Sequence, residues 1–178
     1  MGRLTHRTHP GCTYFVTTKA WDSRNLFQAA EVAEIIIARL RQCRDEGAYA
    51  LHEFVVMPNH LHMLLTPGAE VTLERAMQLI KGGSSHEVHR RRGGKHPLWQ
   101  PGFHEWTVRD ENDFQAKREY VRLNPVQAKP AERPQEWLFG SASGRFALDP
   151  MPERLKTSGA KAPLETSAVD VGAKAPTP

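Results

Sequence analysis

Two histidines, His60 and His62, stand one residue apart in an apolar segment that follows a Pro-Asn pair. Pro-Asn is a turn signal, and apolar runs on both sides of it predict a β-hairpin. Side chains alternate between the faces of a strand, so both imidazoles point to one face. The other face carries apolar residues that we expect in a core: Leu61, Met63 and Leu65. Two neighbouring imidazoles form half of a metal site, although each is equally compatible with an ordinary hydrogen-bonded histidine.

A tyrosine and an asparagine, Tyr120 and Asn124, lie four residues apart in a predicted helix and therefore share one helical face. Taken alone, Tyr120 is compatible with a core residue whose hydroxyl reaches the rim, and Asn124 with a helix stop before Pro125. Together with the histidines, they suit one reaction at a phosphodiester. A divalent metal held by the two imidazoles would polarise the phosphate, and Asn124 could add an oxygen ligand. Tyr120 would then attack phosphorus to form a phosphotyrosyl intermediate.

The elements that must position these groups follow from hydrophobic periodicity. Strands are predicted over residues 13–18, 49–56, 60–66 and 103–108. Helices are predicted over 28–46, from about 72 onward, and over 111–123. We expect Gly82-Gly83 to weaken or kink the second helix and Pro125 to end the third.

This β-α-β-β-α-β order is the split βαβ pattern, an antiparallel sheet with its helices packed on one face. The sequence thus predicts an α+β, ferredoxin-like fold with an added C-terminal helix that carries the tyrosine. A fold of this kind hosts many functions and indicates none of them.

The composition indicates a globular protein with an end segment of different character. The chain has 178 residues, a net charge of +4 and two cysteines, too few for a disulfide framework. No apolar run reaches membrane-spanning length and no secretion signal is evident, so we expect a soluble, cytoplasmic protein with no membrane partner. Residues 149–178 lack aromatic residues and repeat Gly-Ala-Lys-Ala-Pro twice. We therefore predict a functional domain over 1–148 and a disordered tail over 149–178.

Two motifs resemble those of a known family. Residues 54–64, FVVMPNHLHML, resemble the signature of the HUH single-tyrosine transposases, in which a bulky hydrophobic residue separates two histidines. Residues 119–128, EYVRLNPVQA, resemble their catalytic-tyrosine helix. The run LWQPGFH at 98–104 and the Lys-Gly pair at 81–82 are similar to the branch of REP-associated tyrosine transposases.

The resemblance implies a substrate and a set of roles. The substrate would be single-stranded DNA next to a short imperfect hairpin. Tyr120 would be the catalytic nucleophile, forming a 5′-phosphotyrosine link and freeing a 3′-hydroxyl. His60, His62 and Asn124 would hold Mg²⁺ or Mn²⁺, of which Mn²⁺ suits two imidazoles better. The resemblance leaves a monomer and a homodimer equally open.

A basic stretch fits the same interpretation. Residues 81–95 contain five positive residues and one negative residue, Glu87. The positive residues are Lys81, Arg90, Arg91, Arg92 and Lys95. We predict that these cations contact DNA phosphates, the alternative being a solvated helix face. Aromatic side chains nearby offer stacking faces for unpaired bases or belong to the core: Trp99, Phe103 and Trp106.

Two other functions keep some of the same residues. In a metal-dependent nuclease, water attacks the phosphate and Tyr120 only packs, so no covalent adduct forms. A non-catalytic DNA-binding module binds without cleaving and is indifferent to chelators. The complete set of His60, His62, Tyr120 and Asn124 favours a DNA strand transferase, which cleaves and rejoins DNA through Tyr120. A binding module needs none of the four as a reactive group.

Overall fold

The computed structural model describes residues 8–9, 11–94 and 96–156, and within these ranges four strands form one antiparallel sheet. The strands are β1 (Thr13–Lys19), β2 (Tyr49–Val56), β3 (His60–Pro67) and β4 (His104–Val108). Their spatial order is β2-β3-β1-β4. The predicted α+β, ferredoxin-like fold is confirmed.

The long helices cover both faces of the sheet. Helices α1 (Ala30–Asp45) and α2 (Leu73–Arg92) pack on one face, and α3 (Glu111–Gln127) packs on the other, against β2 and β3. A short helix, α4 (Glu153–Lys156), follows at the C-terminal end of the described chain. None of the helices in the described ranges combines the length and apolarity needed to cross a membrane.

Strand β3 divides its side chains between these two layers, as its alternation predicts. Leu61, Met63 and Leu65 are fully buried in the core shared with α1 and α2. On the other face, Leu64 packs with residues around α3, in a smaller cluster with Phe114. The face that carries the histidines is therefore the face that α3 covers.

The predicted hairpin joins β2 to β3 through Met57, Pro58 and Asn59, and Met57 N–H donates to His60 O at 2.8 Å. Strand β2 contains an irregularity between Leu51 and Glu53, where the register with β3 shifts by one residue. The shift resembles a β-bulge, which places an extra residue on one strand and redirects side chains.

Helix α2 is continuous through the two glycines that were expected to weaken or kink it. The Gly83 position lies against the side chain of Arg39 on α1, where a Cβ atom would clash with the guanidinium. Arg39 Nε in turn donates to Leu79 O at 2.9 Å. The glycine therefore permits close packing of α1 on α2, and this tertiary contact outweighs its low helix propensity.

Helix α3 does not end before Pro125, as the sequence predicts, but continues to Gln127. Proline removes one intrahelical donor, yet its fixed φ is compatible with a helix. The last turn closes because Ala128 N–H donates to Asn124 O at 3.0 Å. Asn124 consequently has a helical backbone, which fixes the direction of its side chain.

The packed chain extends beyond the predicted boundary at residue 148. The Asp149 carboxylate accepts two bonds of 2.7 Å from the Arg44 guanidinium and one of 2.7 Å from Leu51 N–H. Leu155 is buried in the cluster of Leu64, Val108 and Phe114. The predicted tail is therefore wrong for 149–156, because burial and ion pairing outweigh a polar composition; its remainder, 157–178, lies outside the described residues.

Replacing Leu155 by alanine is expected to lower the free energy of unfolding by about 2–3 kcal/mol, since a buried leucine loses its apolar contacts and leaves a cavity. Urea unfolding followed by circular dichroism measures the change. Leu138→Ala is the matched control, because Leu138 is 54% exposed and its truncation should change the free energy by less than about 0.5 kcal/mol. Equal effects for the two variants would contradict a structural role for 149–156.

Candidate active site

The two histidines of β3 lie against α3 at the hairpin end of the sheet. Their ring centroids are 4.6 Å apart in an edge-on arrangement. Their shared face follows from the period of two along the strand. Each ring is held through its Nδ1 atom by a different neighbour, which leaves Nε2 as the second nitrogen of each ring.

The Nδ1 atom of His60 is 2.7 Å from Asn59 Oδ1. An amide oxygen can only accept, so His60 Nδ1 donates and Nε2 is unprotonated in the neutral ring. Burial lowers the pKa of His60, the amide of Asn124 opposes this shift, and the charge of Lys19 adds to it. His60 is therefore a neutral imidazole with an available lone pair at neutral pH.

His62 is more deeply buried, and its Nδ1 lies 2.7 Å from the Thr17 hydroxyl on β1. Its ring stacks on Phe15 with centroids 5.3 Å apart. Burial lowers the pKa of His62 to about 3, and the neighbouring His60 contributes in the same direction. A metal-binding histidine needs the same neutral form, and an outer hydrogen bond to Nδ1 orients such ligands.

Tyr120 stands beside this pair on α3. Its ring meets His62 edge-on with centroids 5.3 Å apart, and Phe15 edge-on at 5.7 Å. The side chain is 42% exposed, whereas its neighbour Val121 is fully buried against Val55 and Met57. The buried valine thus fixes the helix while the tyrosine stays accessible to a large substrate.

Asn124 lies one helical turn beyond Tyr120, and its residue surface is 7% exposed. Its amide is close enough to His60 to act on the pKa of that ring, yet Asn124 Oδ1 has no hydrogen-bond partner among the described residues. An unsatisfied buried oxygen is costly unless something binds it. Since His60 Nε2 is also an acceptor, the two atoms cannot bond to each other, and both suit a cation. The residues present therefore fit a divalent metal.

A buried carboxylate fastens α3 to the sheet. Glu53, 1% exposed, accepts a bond of 3.0 Å from Arg118 Nε and a second bond from the Ser141 hydroxyl. Ser141 Oγ also accepts from Phe54 N–H at 2.9 Å. Arg118 is two residues from Tyr120, so this link sets the position of the tyrosine along β2.

The structure thus brings His60, His62, Tyr120 and Asn124 together, although their catalytic and metal-binding roles stay predictions. It does not bring the predicted DNA-binding cations to them. Lys81 Nζ donates to Gln100 O and Gly102 O, both at 2.6 Å, and burial lowers its pKa to about 8. This lysine is engaged by the loop that leads into β4, which a sequence pattern does not reveal.

The arginines predicted to contact DNA end α2, on the face of the sheet opposite α3. Arg90 and Arg91 pair with Glu87 on their own helix at 2.7 and 2.5 Å. Arg92 is exposed, and Lys95 lies outside the described residues. A DNA contact by these arginines stays a prediction, and it would lie on the face of the sheet opposite the tyrosine.

Other side chains at the site were missed by sequence reasoning. Thr17 and Phe15 contact His62 because the register of β1 on β3 pairs Thr17 with His62. Their alternation in β1 was visible, but the register was not. Among the aromatic residues, Trp99 and Phe103 are buried in the core, whereas Trp106 is exposed on β4.

Comparisons with known proteins identify relatives of this arrangement. The family model described as "Transposase IS200 like" matches residues 9–124. The chain is 24% identical over 145 residues to the REP-associated tyrosine transposase of Escherichia coli K12, covering 78% of this chain and 84% of the relative. It is also similar in fold to a solved REP-associated tyrosine transposase bound to a REP hairpin, with a TM-score of 0.67 and 19% identity over 93% of this chain and all of that one. The resemblance inferred from the two motifs is confirmed.

Lowering the pH should destabilise the metal-free chain through His62. The unfolded state takes up a proton below its pKa of about 6.5, whereas the folded ring does not until about pH 3, so stability falls as pH decreases through this interval. Between pH 7 and pH 5 this group should cost about 2 kcal/mol. Urea unfolding in the presence of a chelator measures the free energy of unfolding at both pH values. Its decrease from pH 7 to pH 5 should be smaller by that amount in His62→Gln than in the wild type. An identical loss in both proteins would show that His62 titrates normally.

Proposed function

Because this chain belongs to the IS200-like transposase family, we propose that it is a DNA strand transferase that cleaves and rejoins single-stranded DNA beside a hairpin. The observation that carries the proposal is the contact of an accessible tyrosine with a buried, neutral histidine, next to an unsatisfied amide oxygen. A hairpin ligand is supported by the relative in fold, which was solved with a REP hairpin. Such an enzyme would act on DNA inside the cell, in line with the cytoplasmic location expected from the sequence.

Tyr120 is the proposed nucleophile. Its oxygen forms a bond to the scissile phosphorus as the bond from phosphorus to the 3′ oxygen breaks. The phenol loses its proton, the departing 3′ oxygen gains one, and the 5′ phosphate stays on the tyrosine. Since the phosphotyrosyl bond retains the energy of the phosphodiester, attack by a 3′-hydroxyl can reverse the step and join strands.

His60, His62 and Asn124 are the proposed metal ligands. A divalent ion held by these residues, Mg²⁺ or Mn²⁺, would supply Lewis-acid polarisation of the phosphate and stabilise negative charge on the leaving oxygen. Thr17 and Asn59 hold the Nδ1 side of the two rings, which orients the Nε2 atoms. Burial keeps both imidazoles neutral and so available as ligands.

Glu53 and Arg118 have a positioning role in this scheme. Their ion pair holds α3 at β2, while Phe114 and Val121 seat the same helix in two apolar clusters. In-line attack needs the nucleophile within a narrow range of positions, so fixed placement contributes to rate even without contact with DNA. Phe15 completes the support because it touches both the His62 and Tyr120 rings.

Tyr120→Phe should abolish covalent attachment to DNA and leave binding intact, since only the attacking oxygen is lost. End-labelled single-stranded hairpin oligonucleotides with Mn²⁺, analysed on a denaturing protein gel, detect the adduct. Tyr49→Phe is the matched control, because the Tyr49 hydroxyl is buried and donates to Leu40 O. Cleavage by the wild-type protein without an adduct would instead support the water-using nuclease. Binding by the wild-type protein without cleavage would support the non-catalytic module.

Asn124→Ala and Thr17→Val should each weaken Mn²⁺ binding, the first by removing a ligand and the second by freeing the His62 ring. Loss of an outer partner typically costs about 10- to 100-fold in metal affinity. Titration followed by electron paramagnetic resonance of free Mn²⁺ measures the change without any DNA. Thr107→Val, at an exposed position on β4, serves as control. Affinities equal to wild type in both test variants would contradict the proposed ligand set.

A further inference from the structure

Trp106 is an exposed tryptophan on the edge strand β4, with 47% of its surface accessible. Its register partner on β1 is Phe15, the residue that supports both His62 and Tyr120. A large aromatic side chain left in water loses the free energy that burial would provide. Single exposed aromatic residues are common, but this one lies beside the cluster of His62, Tyr120 and Phe15.

The indole ring of Trp106 is held in place despite its exposure. Its Nε1–H donates to Asp113 Oδ2 at 3.3 Å, and the same oxygen accepts from Arg109 N–H at 3.2 Å. Lys117 Nζ lies 4.8 Å from the ring centroid and the Arg109 guanidinium carbon 5.4 Å from it. These contacts order the ring before any ligand arrives, which reduces the entropic cost of binding.

Helix α3 connects this ring to the reactive tyrosine. Asp113, Lys117, Tyr120 and Asn124 follow one another at helical spacing, and they reach in turn Trp106, Phe15, His62 and His60. Lys117 Nζ lies 4.8 Å from the Trp106 ring centroid and 5.5 Å from that of Phe15. The Phe15 ring in turn lies 5.7 Å from the Tyr120 ring. Trp106 and Tyr120 are therefore joined through these two side chains, on the same face of the sheet.

We propose that Trp106 and Lys117 form a subsite for one unpaired nucleotide that flanks the scissile phosphate. The base displaces a cation from the face of the indole and stacks there, and Lys117 and Arg109, which lie over the ring in the free protein, bind the phosphates of that nucleotide. This inference rests on the proposed function for the identity of the scissile phosphate. The stacking itself needs only an unpaired base.

The chemistry of the subsite favours a nucleotide over other ligands. An aromatic plane bordered by two cations matches a base joined to phosphates, and stacking tolerates every base because each has a π face. The carboxylate of Asp113 already accepts hydrogen bonds from the indole and from Arg109 N–H, so it is not free to bind a cationic ligand at this ring. The subsite would position the strand without selecting its sequence.

The first test measures binding of a short fluorescent oligothymidylate in chelator, by anisotropy, so that no chemistry intervenes. Trp106→Ala should bind roughly 5- to 150-fold more weakly than wild type, the range known for loss of one stacked base. Trp106→Phe should recover part of this loss. Leu138→Ala is the control, since Leu138 is also an exposed large hydrophobic residue but lies next to β2, at the opposite edge of the sheet. Equal affinities for Trp106→Ala and wild type would overturn the subsite.

The second test locates the stacked base with the hairpin oligonucleotide that forms the Tyr120 adduct. Single abasic substitutions are placed along its unpaired strand, and binding is measured in the Tyr120→Phe background. In the protein that retains Trp106, an abasic substitution at one position next to the cleaved bond should lower the affinity. In Trp106→Ala, the same substitution should cause no further loss of affinity. 2-Aminopurine at that position should be quenched by the Trp106 protein alone. Additive losses at every position would overturn the assignment.

The third test concerns Lys117. Lys117→Met should reduce the slope of log affinity against log salt concentration by about 0.7, the value for one phosphate contact on a single strand. Arg75→Met, which removes a charge from the first turn of α2 on the far face, should leave the slope unchanged. An unchanged slope in Lys117→Met would exclude the phosphate contact.

The Trp106 subsite and the Tyr120 nucleophile can be contradicted independently. If the adduct forms but Trp106→Ala binds oligothymidylate normally, the subsite is wrong and the strand transferase stands. If no adduct forms but Trp106→Ala still weakens binding, the tyrosine nucleophile is wrong and the stacking site stands.

Discussion

The alternation of side chains along β3 constrains everything else at this site. Leu61, Met63 and Leu65 must face α1 and α2 to fill the main core, so His60 and His62 have to face the opposite layer. A shift of one residue would exchange the two sets and place imidazoles in the core. The hydrophobic effect, acting on three apolar side chains, thus fixes the direction of the two imidazoles.

The second layer brings the remaining groups to the histidines. Helix α3 contributes apolar residues that bind it to the sheet and polar residues that stay at the surface, and the two sets are interleaved at helical spacing. Its position is refined by the pair of Arg118 with the buried Glu53, which the irregular register of β2 directs toward α3. A buried carboxylate with two donors gives directional definition that apolar packing alone lacks.

Much of this arrangement was predictable from local patterns. The hairpin, the order of strands and helices along the chain, and the shared face of His60 and His62 follow from turn signals and periodicity. Tyr120 and Asn124 follow from helical spacing with the family motif. What local patterns do not show depends on contacts between distant segments. Lys81 was assigned to DNA because charge is visible in sequence, but its two carbonyl partners come from a loop nineteen or more residues away. Pro125 and Gly83 broke local propensity rules because tertiary packing decided their conformation.

The bond between Arg44 and Asp149 joins positions 105 residues apart, and Leu155 completes the cluster beneath α3. Closing so long a loop costs conformational entropy, which contacts formed elsewhere in the fold have to offset. The segment that carries Leu155 is tethered to α1 through Asp149. Weakening this tether would therefore also loosen the packing beneath α3, the helix that carries Tyr120.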